Sequence, residues 1–275
     1  MTAVLKCLNH ELMNRSEISA LEAGPHLDEP DPWLAYPELY ENVVDIYTQK
    51  RLDPELVAKA RREEMDFLVG TLKAYEYDTI ANCVAQTGRR PIPVVWVDTN
   101  KGDDERPAVR CRLCVAETKK QTTMDLNDPS LTFSATPPYE ALRMIISLLM
   151  TPQAGEEDHV LMFLDVTRAH PHCMMRRKVW VALAKEDPRS ADGETCGFLL
   201  RSLYGLRDAG QSFELFVADV MTKLGFVQGT WSPCLFRHEE KKMLAYVNGD
   251  NFVLKGERGA LAAMFDELKT HMTMK

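Results

Sequence analysis

Two aspartates stand where carboxylates are unusual in a folded chain. Asp165 ends the continuous apolar run Val160–Leu164, and Asp250 lies inside Asn248-Gly249-Asp250-Asn251, a strong tight-turn composition between two β-prone runs. In one antiparallel sheet these two positions can be neighbours at the same edge. Adjacent carboxylates repel each other unless a cation lies between them. Because Mg²⁺ takes one or two protein carboxylates, the pattern predicts a Mg²⁺ site, with Mn²⁺ as a substitute.

A purely structural role accounts for the same two residues. Asp165 would then cap a strand, and Asp250 would be an ordinary turn former, since turns readily recruit aspartate. Taken alone, the two positions favour this structural interpretation.

Two other groups of residues could suggest zinc sites, but a zinc site is the weaker interpretation of each. Cys111 and Cys114 form one CxxC without a second pair at zinc-ribbon spacing, which favours two thiols in a strand. The spacing of His170, His172 and Cys173 fits no standard zinc motif, and Pro171 prevents a regular helix there.

The elements that would carry these residues follow from periodicity and turn chemistry. We predict α+β architecture: a split βαβ antiparallel sheet, in the order strand, helix, hairpin, helix, with the helices on one face. The predicted helices are 54–68, capped by Asp53, then 140–150, 213–224 and a last one from Leu261 through Met272 to the end of the chain. The predicted strands are 92–97 paired with 108–115, 160–164, and 243–247 paired with 252–254.

Composition indicates a folded protein inside the cell. Of 275 residues, 45% are hydrophobic and 27% charged, far from the balance of disordered chains. The longest apolar stretch, 142–150, is broken by Arg143 and is too short for a membrane span, and the first residues lack a secretory signal. Seven cysteines, an odd number, favour reduced thiols.

The net charge of −8 provides no overall basic footprint for nucleic acid, and residues 1–80 alone, with 8 Lys+Arg against 16 Asp+Glu, sum to −8.

Several fragments, in order, resemble the copia-type retrotransposon reverse transcriptases. Residues 202–207, SLYGLR, are similar to the family's SLYGLKQ, and 163–166, FLDV, to its QLDV strand. Residues 224–226 and 232–236 resemble its LGF…DPCLF run; 112–116 and 132–137 resemble RLVAKG and TFSPV; Glu63-Glu64-Met65 also fits. The resemblance covers about residues 55–275 and reverses the preference for the structural interpretation.

The resemblance implies a role for particular residues. It implies that Asp165 and Asp250 are catalytic and hold Mg²⁺, with the backbone carbonyl of Val166 as a further metal ligand. Arg112 would contact the incoming triphosphate, His170 would stand at the nucleotide-sugar gate, and Gly205 would lie where the template strand approaches closely. Tyr204 and Arg207 belong to the same nucleotide- and template-binding region. Of the basic residues, Arg176-Arg177-Lys178 could contact phosphate or form a solvated face, whereas Lys119-Lys120 favour the solvated face.

Three departures from the family pattern bear on activity. The second aspartate of the family's YVDD turn is Asn251 here, which removes a negative charge from the metal site. The aromatic gate is His170, followed by Pro171, and a family proline is Gly210. Two functions stay open: an RNA-directed DNA polymerase (a nucleotidyltransferase acting on template-primer and deoxynucleoside triphosphates), active or inactive, and a non-catalytic nucleic-acid or protein-binding module.

The resemblance also implies a division of the chain. We expect an extended acidic leader at 1–54, a fingers-like region at 55–159 and a palm carrying the catalytic positions at 160–275. The thumb and RNase H domain that follow in the family do not fit after Lys275, so a truncated element is expected.

Overall fold

The computed structural model describes residues 39–122, 124–125, 128, 131–152, 154, 156 and 158–275. The fold is mixed α+β, as predicted, with five helices and ten strands among the described residues. The helices are α1 (Pro54–Met65), α2 (Ile80–Thr87), α3 (Tyr139–Met150), α4 (Ala209–Lys223) and α5 (Arg258–Lys269). The strands are β1 (Tyr75–Thr79), β2 (Val94–Asn100), β3 (Val109–Val115), β4 (His159–Asp165), β5 (Trp180–Val181), β6 (Thr195–Leu199), β7 (Val227–Gln228), β8 (Leu235–His238), β9 (Met243–Asn248) and β10 (Asn251–Glu257). None of the described helices has the length and apolarity that a membrane crossing requires.

The start of α1 confirms the predicted cap. The Asp53 side chain accepts hydrogen bonds from the backbone N–H groups of Glu55 and Leu56, and Pro54 opens the helix. A π-helical turn, Asp66–Thr71, extends α1 beyond Met65.

Residues 39–53, within the region predicted as a leader, pack against the β2–β3 hairpin. Tyr40 is buried, and the Asp45 carboxylate accepts a 2.6 Å hydrogen bond from the backbone N–H of Asn100. Three such backbone bonds lower the pKa of Asp45 to about 2. The aromatic and proline residues that suggested an extended leader, Pro30 to Pro37, lie outside the described residues.

The largest sheet has the strand order β4-β10-β9-β8-β7 and is antiparallel throughout. Its β9–β10 hairpin confirms the turn prediction: Asn248 pairs with Asn251, and Gly249 adopts a φ of 60° at the tip. Strands β7 and β8 were not predicted, because runs of two and four residues give too little periodicity to recognise. A separate small sheet, β1-β6-β5, was also missed.

The two helices of the predicted strand, helix, hairpin, helix unit lie on one face of the large sheet, and α3, which precedes that unit, lies on the other. α4 and α5 cover one face, where Phe213 and Leu261 pack with Phe252 and Leu254. α3 covers the opposite face, where Ile145 meets Val253 in a second apolar cluster. Consecutive residues of β10 point to opposite faces and are buried on both, so this strand requires a cover on each side.

The last helix is shorter than predicted. α5 ends at Lys269, and the chain turns back so that Thr273 and Lys275 pair with the residues that follow β4. Thr167 N–H donates to the Thr273 carbonyl at 2.8 Å, and Val166 and Met274 form an antiparallel bridge. Met272, which continued the helical period in the sequence, and Met274 are buried in the core in a non-helical segment. Their apolar character reflected burial rather than helix.

A buried ion-pair cluster joins the end of β3 to the start of α4. The Arg177 guanidinium binds both oxygens of Glu117, at 2.9 and 2.8 Å, and both oxygens of Asp208, at 3.0 and 2.8 Å. The carboxylates are almost wholly buried, with 0% and 7% of their side-chain surface exposed. Arg177 is therefore committed to structure and is not available for the phosphate contact considered for residues 176–178.

Removing Arg177 should leave two buried carboxylates without a partner. We expect Arg177→Ala to lower the free energy of unfolding by roughly 3–5 kcal/mol, measured by urea denaturation. The matched control is Arg237→Ala, which breaks an exposed pair with Glu239 and should cost at most about 1 kcal/mol. Similar losses in the two variants would contradict the structural role of the cluster.

Candidate active site

The two aspartates singled out in the sequence meet at one end of the large sheet. Asp165, the last residue of β4, lies opposite Asn251, the first residue of β10, in the antiparallel register. The backbone N–H of Val166 donates to the carbonyl of Asp250 at 2.8 Å. The turn of the β9–β10 hairpin is thereby fixed next to the end of β4, and Asp165 and Asp250 line one groove.

Each carboxylate has a donor from the chain itself. The Lys275 ammonium lies 3.2 Å from Oδ2 of Asp165, and the Asn251 side-chain amide donates to Oδ1 of Asp250 at 3.0 Å. Lys275 is held in place by its backbone, which exchanges hydrogen bonds of 2.8 and 3.0 Å with Asp165. The repulsion expected of two adjacent carboxylates is thus relieved by an ammonium and an amide.

The groove around these aspartates has a volume of about 380 Å³ and is lined by charged residues of both signs. It contains the carboxylates of Glu64, Asp165 and Asp250 and the cations of Arg110, Arg112, Arg168 and Lys275. A groove with four cations around three carboxylates suits a ligand that carries several negative charges and its counter-ion.

Glu64 was not predicted as part of the site. It reaches the groove from α1, where its side chain is 2% exposed, and its Oε2 accepts a 2.6 Å bond from Nε of Arg168. Burial raises the pKa of Glu64, while Arg168, Arg112 and the backbone N–H of Leu113 act against that rise. Its other oxygen, Oε1, is buried without a hydrogen bond of acceptable distance and angle to any described residue. The signal was present in the sequence, because Arg61 and Glu64 share the helical face of Val57 and Leu68.

Arg168 connects Glu64 to the turn that follows Asp165. Its φ of 53° is unusual for a residue with a side chain, and its guanidinium lies 4.4 Å from the ring centre of Phe67. His172 contacts the same ring edge-on and has its Nε2 3.1 Å from the carbonyl of Thr167. The turn after the first aspartate is therefore held from α1 by an ion pair and two ring contacts.

A second cavity, of about 310 Å³, opens on the other side of Asp250. The Arg112 guanidinium lies 4.4 Å from the ring centre of Tyr204, and the His170 ring meets Tyr204 edge-on at 4.8 Å. Burial lowers the pKa of His170, assisted by the charge of Arg112, and its Nδ1 has no hydrogen-bond partner among the described residues. Burial likewise raises the pKa of Tyr204 to about 12. Arg112, His170 and Tyr204 are thus brought together beside Asp250.

Comparison with protein families supplies the identification. Residues 77–275 match the family model described as reverse transcriptase (RNA-dependent DNA polymerase). The chain belongs to the reverse transcriptase family. The match confirms the resemblance to copia-type enzymes, and it implies binding of a nucleic-acid template and of nucleotides in general terms. Comparison with curated proteins gives no match.

In this reverse transcriptase chain, the fold itself requires a glycine at position 205. Its φ is 86°, and a Cβ built there would lie 2.1 Å from the carbonyl oxygen of Val115. What approaches Gly205 so closely is therefore β3, whose Val115 N–H also donates to the Tyr204 carbonyl at 2.7 Å. The glycine lets the residues after β6 lie against β3 and thereby places Tyr204 under Arg112.

Of the remaining predicted residues, Val166 and Cys111 line the groove, whereas Arg207 and Cys114 do not. Arg207 lines neither cavity beside Asp250; its backbone N–H donates to Glu117 at 2.9 Å. Val166 is buried next to Asp165. Cys111 and Cys114 both lie in β3, as the strand interpretation predicted. No group of three or more His, Cys, Asp or Glu side chains suited to a metal occurs among the described residues.

Gly205 and Gly249 offer a matched pair for testing the close approach. Both have a positive φ, but a Cβ at Gly249 would meet nothing within 4 Å. Gly249→Ala should cost roughly 1–2 kcal/mol of unfolding free energy for the left-handed backbone alone. Gly205→Ala should cost at least about 2 kcal/mol more, because β3 must move. Equal midpoints of thermal unfolding would contradict this contact.

Proposed function

We propose that the chain is an RNA-directed DNA polymerase in which Asp165 and Asp250 hold Mg²⁺ or Mn²⁺. The large sheet with α4 and α5 would be the palm, and residues 55–159, with the β2–β3 hairpin, the fingers-like region. The observation that carries the proposal is the pairing of Asp165 with Asn251, which sets the hairpin turn beside the end of β4 in a chain that matches this family.

The donor set fits a hard divalent ion. Asp165 and Asp250 line one groove, and Mg²⁺ is typically bound through one or two carboxylates, water and substrate phosphate. When bound, the ion would favour deprotonation of the primer hydroxyl and neutralise charge on the departing pyrophosphate. The ligand residues would be Asp165 and Asp250, with the Val166 carbonyl as a further donor.

The other residues of the groove would act by positioning and by charge. Arg112, fixed over Tyr204, is suited to bind a triphosphate oxygen, and Arg168 presents a second guanidinium to the same groove. His170, whose pKa is lowered by burial, would stand where the nucleotide sugar lies. Phosphoryl transfer requires little more of the protein than such positioning and electrostatic stabilisation.

One observation favours the second candidate, a non-catalytic binding module. Lys275 and Asn251 already provide a donor to each carboxylate, so this end of the sheet does not need a cation to relieve repulsion. A protein that has lost catalysis could keep the palm fold and its nucleic-acid contacts with the site in this state.

Primer extension on an RNA template separates the two candidates. We expect extension with Mn²⁺ that is abolished by Asp165→Ala, because one of two metal-binding carboxylates is removed. Asn251→Asp should raise the extension rate by roughly tenfold or more, since it restores a negative charge at the metal site.

Two matched variants control for folding and for charge. Asp266→Ala removes an exposed carboxylate on α5, and Asn248→Asp makes the same amide-to-acid change in the same turn; neither should alter the rate. The polymerase proposal fails if Asn251→Asp, folded by circular dichroism and able to bind template-primer, extends no primer with either metal.

The Lys275 ammonium should compete with a metal ion for Asp165. We expect Lys275→Met to tighten Mn²⁺ binding about fivefold, from about 1 kcal/mol of screened repulsion removed, as measured by electron paramagnetic resonance titration. As a control, Lys269→Met removes an ion pair with Asp266, and neither residue lines the groove. A gain shared by both variants, or absent from both, would show that the Lys275 contact does not control the site.

A further inference from the structure

Three surface segments of this chain are basic and contain no acidic residue. Residues 87–93, 118–122 and 174–180 hold seven Lys and Arg and no Asp or Glu. One of the seven, Arg177, is neutralised by its buried ion pairs. The other six are exposed and form what we call the basic strip: Arg89, Arg90, Lys119, Lys120, Arg176 and Lys178.

Hydrogen bonds hold the three segments together. Nη1 of Arg89 donates to the carbonyls of Lys120 and Thr122, both at 3.1 Å. The backbone N–H of Ile92 donates to the Trp180 carbonyl at 2.9 Å, which joins the first segment to the third. Arg89, Arg90 and Lys178 line one small cleft, together with Gln121. The strip is therefore a fixed surface rather than three separate loops.

The strip concentrates positive charge on an acidic protein. The chain carries −8 in total; subtracting the strip's six positive charges leaves −14 on the remaining residues. An accumulation of this kind attracts polyanions against the repulsion of the rest of the molecule. In the sequence, only two of the three segments were recognised as basic. They were not recognised as one surface, because no periodicity relates residues 89, 120 and 178.

We infer that the basic strip binds the sugar-phosphate backbone of a nucleic-acid strand, outside the groove of Asp165. Its cleft shares no lining residue with the two cavities beside Asp250. The inference rests on membership of the reverse transcriptase family and not on polymerase activity. The six side chains lie on turns and loops, whereas membrane-surface binding typically uses an amphipathic helix with large apolar residues. Contacts of this kind read phosphate and not sequence.

The test measures binding of fluorescein-labelled oligouridylate by fluorescence anisotropy, without divalent ions. The strip variant carries Arg90→Glu, Lys119→Glu, Lys120→Glu and Lys178→Glu, and keeps Arg89 because its side chain joins two segments. We expect affinity to fall at least roughly tenfold, and the slope of log affinity against log salt, between about 50 and 200 mM, to become shallower by about 3.

The control variant reverses four exposed basic residues elsewhere: Lys59→Glu, Lys73→Glu, Lys242→Glu and Arg258→Glu. It has the same net charge as the strip variant. Its RNA affinity should fall by less than about fivefold, which is half of the loss expected for the strip variant. Equal losses of RNA affinity in the two variants would overturn the inference. It would also be overturned if the strip variant bound RNA as well as the wild type but no longer bound phosphatidylserine vesicles. Because this binding assay contains no divalent ion and no nucleotide, its result does not depend on polymerase activity, and failure of the polymerase proposal is distinguishable from failure of the basic strip to bind RNA.

Discussion

The backbone pairing between β4 and β10 is the constraint on which the site depends. Seven residue pairs run from Glu257 opposite His159 to Asn251 opposite Asp165, and the bond from Val166 N–H to the Asp250 carbonyl extends the contact by one residue. A shift of one residue would exchange the two faces of β10. That shift is disfavoured because Phe252 and Leu254 fill the cluster with α4 and α5, whereas the smaller Val253 fills the cluster with α3, so each cluster would receive side chains of the wrong volume. The apolar core therefore sets the positions of the polar residues at the sheet's end.

Electrostatic contacts then join the other elements to this sheet. Glu64 and Arg168 connect α1 to the turn after β4, and Arg177 with Glu117 and Asp208 connects β3 to the start of α4. A third buried cluster, in which Arg61 binds Asp98 and Glu186, fixes α1 against the β2–β3 hairpin. Each replaces water by fixed partners of opposite charge, which makes these contacts costly to break singly. The same clusters limit which basic residues can meet a ligand.

The sequence allowed the long elements and the two aspartates to be predicted, for identifiable reasons. The Asp53-Pro54 cap, the apolar run before Asp165 and the turn at residues 248–251 are local signals, and the hairpin that they predict is enough to place Asp250 near Asp165. The sequence did not allow us to predict the interaction partners that come from distant segments. Glu64 lies 104 residues from Arg168, and nothing local marks the pair. The return of Lys275 to Asp165 was missed because the buried Met272 continued a helical period.

The ion pair between Glu64 and Arg168 bears on where this fold begins. Glu64 and α1 precede residue 77, where the match to the reverse transcriptase family starts. A fragment that began at residue 77 would leave the Arg168 guanidinium without its carboxylate. It would also expose Cys111, which packs against Val57 and Ala58 of α1. The region that matches the family and the region that packs together are thus different stretches of the chain, and the second includes α1 with its cap at Asp53.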